Sequence, residues 1–413
     1  MSDGPGRRLR VLLVTTRDIG QRATGRIVVL RTHAEALAAL GHEVTVAVVA
    51  PRPPEDSGWT RRFRTVHVRS PRLPSVALSA LRALTAGRGS LNEALFVDRG
   101  VRRRVAALAA ETGADLVVLD SLRLAGAVAD VTVPVVVDLD DLLSVRYGRL
   151  RTTARSDPRA VLGFAAARIP ALLRAPAARA AVLLLGWEAR RMAVREQQVS
   201  ASADAVSLVS RSEAALLSER TGRDVTWLPP AVPVPAEPVE QRDGLVFLGG
   251  LDYLPNLQAL RFYRDEVLPR LDAGDPRHVL HVVGHCPDDA RAELDVPGIV
   301  LHGYVDDLHA ALGRRLLVAP LVAGGGVKLK VLDGMAHGLP VAGMPGAFEG
   351  LGLPDGLDLQ AVDGAELAGL LRELAADPER CRAVGLQARS VVREEFTTEA
   401  AARRWGALLA RLT

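Results

Sequence analysis

Two hydrophobic patterns alternate along this chain. Leu9–Thr15 (LRVLLVT) is an almost unbroken apolar run, the mark of a strand covered on both faces. After a loop containing Gly20 and Gly25, the residues Ile27, Leu30, Ala34, Leu37 and Leu40 recur at helical spacing, and Gly41 ends the series. Glu43–Ala50 (EVTVAVVA) is a second continuous run. Strand, helix and strand in this order form a βαβ unit with a right-handed crossover. A helical run over 101–112 follows, with strand-like runs over 115–120, 133–138, 206–209 and 225–228. The alternation predicts a doubly wound parallel sheet.

Residues 229–238 read PPAVPVPAEP, five prolines in ten residues, and predict a stiff extended connector rather than a core element. Beyond it the alternation restarts. Strands are expected over 245–248, 279–283, 299–301, 316–319 and 340–342, with Gly249-Gly250 as a tight turn after the first. Helices are expected over 256–271, up to about His337, and over 364–376 and 378–395. The chain thus divides into an N-terminal domain (1–228), a connector (229–238), a second domain (239–396) and a last amphipathic helix (397–413) packing back on the first domain. The fold class is α/β: two doubly wound domains facing across a cleft, with ligands at the carboxyl ends of the strands.

Composition narrows the function. Of 413 residues 48% are hydrophobic and 24% charged, enough apolar material for two cores. Aromatic residues make up only 4%, too few to serve as stacking platforms, so nucleic-acid binding is not expected. Two cysteines, Cys286 and Cys381, supply no disulfide framework and fit a reducing cytoplasm. No apolar signal core precedes the first strand, and no uncharged apolar stretch reaches 18 residues, so neither a signal peptide nor a membrane span is expected. Residues 160–187 are rich in Ala and Leu with interspersed Arg. They suit peripheral contact with an anionic membrane face, although Pro170 and Pro176 should interrupt them and favour a pair of short packed helices or an acceptor-side lid.

The sharpest compositional signal is lysine. Lys and Arg together number 52, yet the lysines are only Lys328 and Lys330, just after Gly324-Gly325-Gly326. Glycines admit a ligand close to the backbone, a helix start adds partial positive charge, and two ammonium groups add full charges. Together they predict a phosphate site. Asp333 lies one helical turn beyond Lys330, where a carboxylate suits the vicinal hydroxyls of a ribose. The spacing of His278 and His281 on a strand points them to opposite faces, which argues against a metal site that includes His285. Glu188, Arg190 and Arg191 read as a solvated helical face.

The stretch from Pro320 to Leu351 resembles the donor-site signature of the group 1 (family 4) glycosyltransferases. The matching pieces are Gly324–Gly326, Lys328, Lys330, Leu332-Asp333-Gly334-Met335-Ala336, Gly338, Pro340-Val341 and Glu349-Gly350-Leu351. Phe247–Gly250 with Tyr253 and Pro255-Asn256 is similar to the family's opening strand of the donor domain. Asp138–Asp141 with Ser144 resembles its Asp-rich N-domain loop, and Ser207–Glu213 with Leu228–Pro230 its N-domain end. The chain departs from the pattern in the glutamates, with Gly325 where many members have the first and Asp333 in place of the second, and in Pro230-Ala231, where relatives often have Asn-Gly.

The resemblance implies two Rossmann-like domains of the GT-B type. It implies hexosyl transfer from a nucleotide diphosphate sugar, with retention at the anomeric carbon, to a glycan, lipid-linked or natural-product acceptor, without a metal or other cofactor. Gly249, Gly250, Gly324, Gly325, Gly326, Lys328 and Lys330 would hold the diphosphate and Asp333 the ribose. Glu349 and Gly350 would border the donor sugar or its phosphate, and Gly20, Gly25 and Arg26 would form the N-domain loop. Asp141 is the catalytic candidate, contacting the sugar or acceptor hydroxyl, unless it is an ordinary helix N-cap. A sugar-nucleotide epimerase of the same architecture and a non-catalytic sugar-nucleotide binder are the alternatives. The expected setting is a bacterial cytoplasm, with contact at the inner membrane face.

Overall fold

A computed structural model describes residues 7–85, 90–156, 171–240, 243–272, 274–313, 316–322 and 326–412. The chain separates into two compact units. The first comprises Met1–Val209, Glu213–Leu228 and Arg404–Thr413, and the second Ser210–Ser212 and Pro229–Arg403.

The first unit carries seven strands: β1 (Arg10–Thr15), β2 (Glu43–Ala50), β3 (Arg64–Arg69), β4 (Leu116–Asp120), β5 (Val135–Asp138), β6 (Ala205–Leu208) and β7 (Val225–Trp227). All pairings are parallel, in the order β3-β2-β1-β4-β5-β6-β7. Helices must therefore cover both faces, and the central strands are largely apolar: Leu12, Leu13, Val14, Val117, Val118, Val136 and Val137 have essentially no exposed surface. The order reverses between β1 and β4. At such a switch point the loops beyond the two strands part and leave room for a ligand.

The second unit has the same logic. Strands β8 (Leu245–Leu248), β9 (Leu280–Val283), β10 (Ile299–Gly303), β11 (Leu316–Ala319), β12 (Val341–Gly343) and β13 (Leu359–Gln360) pair in parallel in the order β10-β9-β8-β11-β12-β13. Here the switch point lies between β8 and β11. Both sheets with their helices give the α/β class, two doubly wound sheets in one chain.

Several local expectations need correction. The helix expected over 256–271 ends at Phe262. It continues as a π turn, Tyr263–Val267, and a 3₁₀ turn, Leu268–Arg270. Pro269 cannot donate a backbone hydrogen bond, so the last turn reorganises around it. Pro176 does not interrupt its segment: one helix runs Ala171–Ser202 through it. Pro176 is the sixth residue, so the lost bond falls at a fraying end while the remaining length compensates. Pro170 lies outside the described residues. On that helix Glu188 is buried, not solvated, and its Oε2 has no hydrogen-bond partner among the described residues. Burial raises its pKa above the usual range. The proline segment after 228 packs on the second unit. Arg389 donates to the carbonyls of Pro235, Ala236 and Ala336, and Val232 N–H donates to Phe396 O at 2.8 Å.

Candidate functional site

In the second unit, β8 ends in Leu248 and the chain turns at Gly249 (φ +145°) and Gly250. A Cβ at Gly249 would lie 2.8 Å from Lys330 Nζ, so this position accepts only glycine if Lys330 is to stand where it does. Asn256 donates through Nδ2 to Gly250 O at 2.7 Å and accepts through Oδ1 from Lys330 Nζ at 2.6 Å. The ammonium also lies 4.3 Å from the centroid of the Phe247 ring. An amide oxygen and an aromatic face both favour a cation. Ammonium has three donors, so the described contacts leave capacity for phosphate oxygens. Burial, and then Lys328, lower the pKa of Lys330 to about 7.

Lys328 is the N-cap of the helix Leu329–Ala336 and donates to Gly326 O at 2.6 Å. Gly326 is in the left-handed region at φ +73°. Gly324 and Gly325 lie outside the described residues. The helix start therefore carries both lysines, and its first-turn amides face the same end. Asp333 follows on this helix, half-buried, and burial raises its pKa to about 6. Its backbone carbonyl accepts from His337 Nδ1 at 2.6 Å. That bond leaves the carboxylate uncommitted by the contact. Glu349 is half-buried and closes the short helix Pro345–Phe348, and Gly350 turns the chain at φ +78°.

Sequence spacing put Lys330 and Asp333 on one helical face. The structure adds two residues to which no role had been given, Asn256 and Phe247. Both sit in the segment 247–256, and their signal was only their place in a familiar pattern.

In the first unit, Arg26 is the second residue of the helix Gly25–Ala39 and projects to the switch point. Its Nε lies 2.7 Å from Asp120, Nη2 2.7 Å from Asp138 and Nη1 3.1 Å from Asp140. One guanidinium thus ties together the tips of β4 and β5. Burial alone would lower its pKa, but the three carboxylates, Asp120 foremost, raise it well above the ordinary value. Asp138 is fully buried. Burial pushes its pKa up, but Arg26, His33 and Ser207 outweigh it and hold the carboxyl well below the usual range. Asp140 is more exposed. Burial, against the pull of Arg26 and with the push of Asp141, raises it to about 6.

Two residues that are not glycine adopt left-handed backbone here: Ser121 (φ +65°) follows Asp120, and Asp140 has φ +69°. Each costs on the order of 1–2 kcal/mol for a non-glycine residue. Strain at the tips of adjacent strands beside a charged cluster is characteristic of functional loops.

Asp141 is buried and ion-paired with Arg146, which lies in the helix Leu143–Ser156. Burial raises its pKa, opposed by Arg146 and Arg26. The amides at that helix start are met from elsewhere: Leu142 N–H by Glu213 at 3.0 Å, and Ser144 N–H by Glu196 at 2.9 Å. Of the loop glycines, Gly20 N–H donates to Asp18 at 2.8 Å, whereas a Cβ at Gly25 would meet nothing within 4 Å. No protein atom crowds Gly25 on that side. Sequence reasoning named Arg26 and Asp141 but gave no role to Asp120, His33 or Trp405. Asp120 ends β4, His33 lies on the helix Gly25–Ala39, and Trp405 on the helix Thr398–Leu409 donates to His33 Nδ1 at 3.2 Å, so the three are neighbours only through the sheet order and the last helix together.

The histidines of the second unit also differ from expectation. His278 precedes β9 in a 3₁₀ turn, and His281 meets His302 of β10, Nδ1 to Nε2 at 2.8 Å. Among the described residues no group of three or more His, Cys, Asp or Glu is placed to hold a metal ion. Nor is any described helix long and apolar enough to cross a membrane.

Residues 242–377 match the model of the group 1 glycosyl transferases. No curated protein matches the chain in sequence. Solved structures similar over almost the whole length include sucrose-phosphate synthase from Thermosynechococcus elongatus. It is 17% identical with a TM-score of 0.67, over 98% of this chain and 99% of that one. HepE from Anabaena, in complex with UDP and glucose, is 12% identical with a TM-score of 0.61, over 98% and 100%. The lipopolysaccharide outer core galactosyltransferase WaaB is 11% identical with a TM-score of 0.59, over 98% and 100%. These likenesses establish the GT-B fold of two Rossmann-like domains. The match to the group 1 glycosyl transferases itself lies within the second unit, over residues 242–377, and takes in the lysine helix and the strands around it.

Proposed function

We propose that the protein transfers a hexosyl group from a nucleoside diphosphate sugar to an acceptor hydroxyl or amine, with retention at the anomeric carbon and without a metal. The carrying observation is Lys330. It is held by Asn256 over the Phe247 ring, at the start of a helix whose Asp333 carboxylate is not engaged by the bond to His337. As the bond from the anomeric carbon to the diphosphate breaks, negative charge develops on the leaving phosphate. Lys328, Lys330 and the helix start would stabilise that charge where it forms. Gly249, Gly250 and the glycines at 324–326 would allow the backbone to approach the phosphates, and Asp333 would accept from ribose hydroxyls. Glu349 and Gly350 would border the transferred sugar.

In the first unit, Asp141 and its neighbour Asp140 would meet the acceptor hydroxyl or the sugar, with Arg26 holding the loop through Asp140. Exposed Leu183 and Leu184 on the helix Ala171–Ser202, with Arg179 exposed on the same element, support peripheral membrane contact of a cytoplasmic enzyme. A structure similar in fold, HepE from Anabaena, is in complex with UDP-glucose, so UDP-sugars are the first donors to test. Incubation with a UDP-hexose, with and without acceptor extract in metal-chelating buffer, should release UDP and yield a product whose anomeric proton coupling matches the donor. Inverted coupling would overturn retention. Rearranged nucleotide sugar without transfer would replace the reading by epimerisation.

A further inference from the structure

Behind Asp138 runs a buried hydrogen-bond chain. Trp405, in the helix Thr398–Leu409, donates from Nε1 to His33 Nδ1 at 3.2 Å. His33 Nε2 lies 3.1 Å from Asp138 Oδ2. The other oxygen, Oδ1, accepts from Ser207 Oγ at 2.8 Å. Oδ2 also meets Arg26 Nη2, whose Nη1 reaches Asp140. Trp405, His33 and Asp138 are each fully buried, and the two rings meet edge to face with centroids 5.5 Å apart.

Indole N–H can only donate. His33 Nδ1 must therefore offer its lone pair, and the ring proton sits on Nε2, aimed at Asp138. The opposite tautomer would place two N–H groups head to head at Trp405. It would also turn an imidazole lone pair onto a carboxylate oxygen. The charged groups around the ring are Asp138 of β5 and, beyond it, Arg26 and Asp120 of β4. We propose that Trp405 is a positioning residue for the reaction: its indole N–H fixes the His33 tautomer that orients Asp138, and through Arg26 the Asp140–Asp141 loop. The last helix thereby completes the chemistry of the first unit rather than only covering it. The kinetic part of this inference rests on the glycosyl-transfer reading above, whereas the tautomer does not.

The test uses the full chain with ¹⁵N-labelled histidine. In the wild type, His33 should show a protonated Nε2 and an unprotonated Nδ1. Trp405→Phe keeps an aromatic ring but removes the donor, and should give mixed tautomers. It should lower kcat by about tenfold or more, as a misplaced imidazole proton does in other catalytic chains, while the donor KM stays within about twofold. In a His33→Gln background the amide oxygen and NH₂ meet the same two neighbours and no tautomer exists. There Trp405→Phe should cost under about threefold. Equal losses in both backgrounds, or an Nδ1–H tautomer in the wild type, would overturn the proposal. Absence of sugar transfer by the wild type, with the Nε2–H tautomer intact, would instead count against the glycosyl-transfer reading alone.

Discussion

Lys330 allows the diphosphate assignment to be tested through protons. In the free protein, burial and then Lys328 hold the ammonium at a pKa of about 7. A bound diphosphate supplies opposite charge within reach, which restores the charged form and raises the pKa. If the bound value exceeds 9, raising the pH from 7 to 9 takes the binding-competent fraction from one half to roughly one hundredth. Affinity should then fall about fiftyfold, on the order of 2.3 kcal/mol. Phosphate ionisation does not confound this window, because its last pKa lies near 6. Asp333, raised to about 6, is also ionised throughout it. Titration calorimetry with UDP, in pairs of buffers differing in ionisation enthalpy, should show uptake approaching one proton per site at pH 8–9. Lys330→Arg stays charged over the range and should flatten the pH dependence. A wild-type affinity that is constant from pH 7 to 9, with no proton uptake, would refute the placement of the phosphates at Lys330.

The other predictions concern stability. Because its folded pKa lies below the unfolded value of about 10.4, Lys330 weakens the free protein most below pH 7, and this cost fades as pH rises towards 10. Lys330→Met should therefore raise Tm at pH 6–7 and lose that advantage by pH 10; a constant difference would contradict the burial argument. Arg26→Met leaves Asp120, Asp138 and Asp140 without their cation and should cost roughly 3–5 kcal/mol at pH 7.5 in urea unfolding. Asp138, held low in the wild type, stabilises the fold above the unfolded carboxyl pKa, and that stability is lost as pH falls. In the variant the unpaired carboxyls protonate more readily, so the deficit should shrink towards pH 5. Gly284→Ala should cost about 2 kcal/mol or more, because its φ is +147° and a Cβ would strike the Gly249 carbonyl. A loss below about 0.5 kcal/mol would mean that the Gly249 turn yields.

Much of the fold was legible because its signals are local and repeated. Continuous apolar runs such as 43–50 and 316–319 can only be strands covered on both sides, and both are. β3 was missed for the complementary reason: at the edge of its sheet, Arg64–Arg69 (RTVHVR) is half-exposed and lacks a continuous run. Pro176 misled because a proline is judged by its neighbours in sequence, whereas its cost depends on its distance from the helix end. At the candidate site, the lysine loop announced itself by composition. The Arg26 cluster did not, because its members at 26, 33, 120, 138, 140 and 405 become neighbours only through sheet order and the returning helix. Glu188 and Glu196 show the same limit. In sequence Glu188 reads as part of a solvated helical face and Glu196 is given no role, yet both are buried, and burial raises Glu196 to about 7.

The left-handed backbone at Ser121 and Asp140 has a consequence for the protein's adaptability. Glycine would occupy either position without strain, so a selection for heat tolerance alone should enrich Ser121→Gly and Asp140→Gly. Only the second removes a group that faces Arg26. Ser121 is thus a place where robustness can improve at little chemical loss, and Asp140 one where the same gain would trade against turnover. Side by side at the tips of two adjacent strands, they form an internal control for separating what the loop needs in order to fold from what it needs in order to work.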